Sequence, residues 1–181
     1  ASYFPISFGW LAWVAFVPWL SLAAAERHPR LYLLAWAGSL PFSFGVTSWI
    51  PVADWRMTFA WAFMALYLSL HFPIGLYLVR LLYRRLGLSL ALSLPFAWVG
   101  MEYFRSNFAG GFATVILGHY RHDWPGGFAW YQIGHTQHDF LEAIQIADLG
   151  GVYAVTFVVA AVNGLLYEAV AARWEKPRFT P

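Results

Sequence analysis

The chain has no cysteine in 181 residues. Disulfides are excluded, and so is any acyl-enzyme held as a thioester, because that chemistry needs a thiolate nucleophile. Charge is nearly as scarce, with Asp, Glu, Lys and Arg making up 11% of the chain, less than half the share of an ordinary soluble domain. The basic residues are scattered and the net charge is only +2, so a nucleic-acid backbone finds no patch to grip. No charged n-region or small-residue cleavage site precedes Ile6, and no signal peptide is evident. The chain opens on Ala1 rather than Met, the expected appearance of a sequence whose preceding residues are missing.

What the chain does have is apolar length. Hydrophobic residues are 60% of it, and charge-free runs cover Ala1–Ala25, Leu31–Ala53, Met57–Val79, Leu86–Met101 and Leu149–Tyr167. The second and third, at 23 residues each, make about 34 Å of helix, enough to cross a hydrocarbon core. Helices apolar on all faces need lipid around them. The expected fold is therefore all-α: a single polytopic transmembrane domain with spans near 6–25, 31–53, 57–79, 86–104 and 149–170, and a long interfacial or re-entrant loop over 105–148. Aromatics reach 20%, and many of the 11 Trp, including Trp49, Trp55, Trp98 and Trp130, fall near run ends, where amphipathic rings settle at the headgroup level.

The loops carry an orientation signal. Eight of the 11 Lys and Arg (Arg27, Arg30, Arg80, Arg84, Arg85, Arg173, Lys176 and Arg178) fall on one side of a five-span arrangement, and three (Arg56, Arg105 and Arg121) on the other. The positive-inside tendency then puts the N-terminus outside, the C-terminus in the cytoplasm and the 105–148 loop outside.

That loop repeats itself. Gly110–Asp123 and Gly126–Asp139 agree at eight of fourteen positions, both containing Gly-Gly-Phe-Ala, Gly-His and His-Asp. His119 and His122, then His135 and His138, form two His-x-x-His pairs, each followed by Asp. Such groups suit a metal ion; the alternative is a glycine-rich interfacial segment with no ion, and the expected cofactor content is none. His71, two residues before Pro73 in the third span, reads as a hydrogen-bonded interior histidine or, with the loop histidines, as a metal or pigment ligand. Glu102 and Arg105, three apart at the outer end of the fourth span, are spaced to pair on one helix face. They read as an interfacial ion pair or as the polar wall of an outward-opening cavity.

The strings Pro95-Phe96-Ala97-Trp98, Met101-Glu102-Tyr103-Phe104-Arg105-Ser106, Gly127-Phe128-Ala129-Trp130, Gly134-His135-Thr136-Gln137 and Ala147-Asp148-Leu149-Gly150-Gly151-Val152-Tyr153, followed by Asn163, resemble the membrane domain of the apolipoprotein N-acyltransferase family. Its pattern runs P-x-x-W-x-x-x-E-x-x-R, then T-G-F-P-W-x-x-x-G-x-x-Q, then D-x-x-G-V-Y. Here Gly126 stands for the threonine and Ala129 for the proline, and the sixteen-residue duplicate is inserted. The resemblance implies a bacterial inner-membrane protein whose family transfers an acyl chain from phospholipid to the N-terminal amine of a lipoprotein. The family's catalytic Glu-Lys-Cys set lies in an external nitrilase-like domain with no counterpart in these residues, so no catalytic residue is assigned. Substrate- or lipid-facing candidates are Glu102, Arg105, Phe128, Trp130, Gly134 and Gln137. Expected partners are membrane lipids, a lipoprotein substrate or other membrane subunits, and no nucleic acid. The alternative function is a non-catalytic accessory subunit of a larger membrane complex derived from the family.

Overall fold

A computed structural model describes residues 8–25, 28, 30–117 and 129–174. Every regular element among them is helical. In chain order they are a 3-10 turn Gly9–Trp13, α1 (Val17–Ala24), α2 (Leu31–Val46), the one-turn α3 (Ile50–Ala53), a 3-10 turn Trp55–Met57, α4 (Thr58–Ser69), α5 (His71–Arg85), α6 (Leu90–Leu117), a 3-10 turn Ile133–Gln137, the one-turn α7 (Leu141–Ile144) and α8 (Ala147–Trp174). Three helical stretches, Leu31–Val52, Trp55–Arg85 and Ala147–Arg173, are long and apolar enough to cross a bilayer. The domain is an all-α membrane bundle.

Two elements differ in detail from the sequence reading. The first apolar segment is divided into a 3-10 turn and the eight-residue α1. The segment read as a loop from residue 105 opens as helix, because α6 continues to Leu117.

The bundle is closed by small residues and by polar bonds that mend helix breaks. At the crossing of α6 and α8, a Cβ on Gly164 would lie 2.5 Å from Ala91 Cα and 2.7 Å from the Leu90 carbonyl. Only glycine admits that approach, the device by which membrane helices pack closely. Pro73 cannot donate to the Ser69 carbonyl, which separates α4 from α5. The carbonyl instead shares the Ser39 hydroxyl of α2, 3.1 Å away, with the Trp36 carbonyl at 2.7 Å, while Trp36 Nε1 donates to Ser69 Oγ at 2.8 Å. In lipid such a freed group must find a protein partner, and here α2 supplies it. The start of α1 is mended likewise. Phe16 N–H donates to Asn163 Oδ1 at 2.8 Å, and Asn163 Nδ2 donates to the Ala12 carbonyl at 2.8 Å, pinning the first segment to α8. Phe16, Trp19, Phe72 and Trp98 fill the centre with edge-on rings, Phe16 and Trp98 only 4.4 Å apart at their centroids.

Candidate functional site

Glu102 is 3% exposed and sits two turns beyond Pro95 on α6. A buried carboxylate needs donors, and three reach it. Ile133 N–H donates to Oε1 at 2.8 Å, Trp98 Nε1 to Oε1 at 3.2 Å, and Thr156 Oγ1 of α8 to Oε2 at 2.8 Å. Thr156 Oγ1 in turn accepts from Gly134 N–H at 2.9 Å. The carboxylate therefore fastens the first two backbone amides of the Ile133–Gln137 turn to α6 and α8, where negative charge also suits the exposed N–H groups of a helical start.

The same turn is held from its other side. Gln137, 2% exposed, accepts from Trp13 Nε1 at 2.8 Å and donates to the Gly9 carbonyl at 3.0 Å and to Thr136 Oγ1 at 2.7 Å. Gly134 has no room for a side chain, since a Cβ would lie 2.5 Å from the Val152 carbonyl. Gln132 donates to Ser106 Oγ at 3.0 Å, and Ser106 donates to the Glu102 carbonyl. Glu102 of α6 and the distant turn residues Gly134 and Gln137 thus belong to one polar knot.

Arg105 is buried one turn along α6. Its charge acts on Glu102, His71 and His135. His135 lies in the same 3-10 turn as Gly134 and Gln137, where desolvation and then the Arg105 charge hold its pKa below the ordinary histidine value. Trp130 is 54% exposed and leans on Trp49, ring centroids 5.1 Å apart. Trp49 Nε1 donates to Tyr131 OH at 2.7 Å. Tyr131 has φ 59°, a conformation that costs a non-glycine residue energy, at a bend between Trp130 and the knot. Phe128 lies outside the described residues.

Below the knot is a cavity of about 590 Å³ that Glu102 and Arg105 line together with Tyr131, Ile133 and Thr136. This is within the usual size of a small-ligand site. Its long wall is α2, where Leu34, Ala35, Gly38, Ser39, Phe42, Ser43 and Val46 all face it. That 3–4 spacing is one helix face, and 12 residues of rise make it about 18 Å long. The cavity is consequently a groove. The exposed Val14, Leu34 and Phe42 stand on its rim, so it opens sideways between α1 and α2. The α2 wall was not picked out in the sequence, where Gly38, Ser39 and Ser43 are single small residues in an apolar run; their spacing on one face was the signal available.

The loop histidines do not assemble into a donor set among the described residues, where no group of three or more His, Asp or Glu is placed to hold a metal ion. His138 turns back on its neighbours, Nδ1 lying 3.1 Å from the His135 carbonyl and Nε2 3.2 Å from Asp139 Oδ2. His119 and His122 lie outside the described residues. His71 lines the groove beside Phe72, its ring 5.4 Å from that of Tyr67.

Residues 1–165 match the family described as the apolipoprotein N-acyltransferase N-terminal domain. Among curated proteins, the chain is 34% identical over 179 residues to an apolipoprotein N-acyltransferase of Geobacter metallireducens, covering 92% of this chain and 31% of that protein. It is 29% identical over 180 residues to one of Rhodopirellula baltica, covering 94% of this chain and 28% of that protein. The chain thus spans less than a third of the length of these curated relatives. No solved structure matches it.

Proposed function

The chain belongs to the apolipoprotein N-acyltransferase family as its N-terminal membrane domain, and from that premise we propose that its groove seats an acyl chain of a lipid substrate for transfer to the N-terminus of a lipoprotein. The observation that carries this reading is the groove's form: about 18 Å of apolar wall along α2, open sideways between α1 and α2, with Glu102 and Arg105 at one end. An apolar tail fits the length, and the charged end is placed for the polar part of the same molecule. The chain holds no thiol, so no thioester acyl-enzyme forms on these 181 residues. The eight-to-three division of basic residues supports an outside N-terminus, a cytoplasmic C-terminus and an outward knot, in a bacterial inner membrane.

A phospholipid carrying a photoreactive group on one acyl chain tests the reading. Labelling is expected on groove residues of α1 and α2, with Gly38→Leu reducing it several-fold. Gly38 suits this purpose because a Cβ there meets nothing within 4 Å and because leucine is the better helix former, by somewhat under about 1 kcal/mol. Equal labelling of the outward-facing Phe59 and Phe63, insensitive to Gly38→Leu, would refute it.

A further inference from the structure

At the opposite end of α5 from His71, about 21 Å along the helix, lies a second pocket of about 410 Å³. Arg80, Arg84, Arg85, His28, Tyr32 and Tyr77 line it. We propose that this pocket binds the phosphodiester headgroup of an anionic phospholipid, a site separate from the groove and independent of the function assigned to it.

Two of its cations are already fixed in place. Arg80 Nη1 donates to the carbonyls of Leu22, Ala23 and Ala25 at 2.7, 3.1 and 2.8 Å, and Arg84 Nη2 donates to those of Ala24 and Ala25 at 2.8 and 2.5 Å. These are the last carbonyls of α1, the electronegative end of that helix. Capping holds the guanidinium planes still, so ordering them costs a ligand little further entropy. The Arg84 bonds run through one nitrogen of a fork whose geometry suits two phosphate oxygens. Arg85 is exposed and takes no part in the cap.

Charge balance favours an anion. No carboxylate is among the described residues that line the pocket. By sequence, the segments that join α1 to α2 and end α5 contain Arg27, Arg30, Arg80, Arg84 and Arg85 and one acid, Glu26, an excess of four positive charges. The walls favour a lipid as the anion's source. Leu31 and Leu81 supply apolar lining, and of the two lining tyrosines Tyr77 is more than half exposed and Tyr32 more than a third, so the pocket opens onto the outside of the bundle with tyrosine rings at the headgroup level. General attraction of basic segments to anionic membranes acts over a surface; a walled pocket with fixed guanidinium groups specifies a single headgroup.

The full chain in neutral detergent, titrated with phosphatidylglycerol, phosphatidylcholine or inorganic phosphate, tests the site by native mass spectrometry and thermal unfolding. Phosphatidylglycerol should leave one retained adduct and raise the unfolding temperature, while phosphatidylcholine and millimolar phosphate do neither. Arg85→Gln should keep the unliganded unfolding temperature and weaken the adduct about five-fold, the effect of one interfacial basic residue. Arg84→Gln should weaken it too and, by opening the α1 cap, lower the unliganded stability. Equal retention of phosphatidylcholine, or an adduct indifferent to Arg85→Gln, would overturn the proposal. Stabilisation by inorganic phosphate alone would overturn its lipid part and leave a free-anion site.

Discussion

Glu102→Leu isolates the knot in one substitution. It removes the acceptor of three hydrogen bonds while leaving the donors buried. Ile133 N–H and the Thr156 hydroxyl, both at 2.8 Å, each lose a charged partner, a loss of about 1–3 kcal/mol per group. Trp98 Nε1, at 3.2 Å, loses less. The sum is on the order of 3–5 kcal/mol, the range found when one side of a buried ionic arrangement is removed. Glu102→Gln keeps the volume and one acceptor oxygen for Ile133 N–H, but turns an amide NH₂ toward Thr156 Oγ1, which already accepts from Gly134 N–H. Its cost should be about 1–2 kcal/mol. Thermal unfolding in lipid nanodiscs reads the totals, and amide hydrogen exchange reads the place. Ile133 should lose at least about ten-fold in protection in the Leu variant, while Gly134, bonded to Thr156, keeps more of its own. Combining Glu102→Gln with Arg105→Gln should give a coupling of about 0.5–3 kcal/mol, as neighbouring charges do. Unchanged protection at Ile133 in the Leu variant would refute the role given to the carboxylate, and zero coupling would separate Arg105 from it.

Gly134→Ala should lower stability by about 1–3 kcal/mol, because its methyl meets the Val152 carbonyl and Val152 Cγ2 at 2.5 and 2.7 Å in a packed site; Gly38→Ala, with open space around its Cβ, should be neutral or stabilising in the same unfolding assay. A tag after Pro181 should resist membrane-impermeant labelling in intact cells, and labelling there would reverse the orientation and the outward placement of the knot. The 181-residue chain, mixed with phospholipid, should accumulate no hydroxylamine-sensitive acyl adduct, since it has no thiol to carry one; mass spectrometry after hydroxylamine treatment checks this.

The membrane bundle was legible because its signal is additive: long charge-free runs report helices in lipid whatever they pack against. Glu102 and Arg105 stood out for the same reason, as charges interrupting an apolar stretch. Their surroundings were much less legible. Helical spacing pointed from Glu102 to Arg105, yet the carboxylate oxygens are occupied by Ile133 and Thr156, 31 and 54 residues away. No local pattern encodes such distances. Thr156 looks like an ordinary polar residue in a transmembrane run and Asn163 was marked only by the family pattern; packing reveals that each serves backbone groups of another segment. Gln137 and Gly134 were found through the family pattern, and the structure supplies the physical reasons for both: an amide that bonds on three sides and a position that excludes a Cβ.

The Asn163 clamp has a bearing on the order in which the molecule is built. Phe16 N–H and the Ala12 carbonyl find their side-chain partner 147 and 151 residues later. At ordinary synthesis rates that interval lasts on the order of ten seconds or more, and each unsatisfied backbone group in hydrocarbon costs several kcal/mol. The first segment therefore has reason to wait near the watery boundary, sinking fully into place only as α8 threads in beside it. Insertion of α8 is thus what lets the α1 segment settle, so a chain halted before Asn163 would leave the α1 segment exposed to water and to proteases.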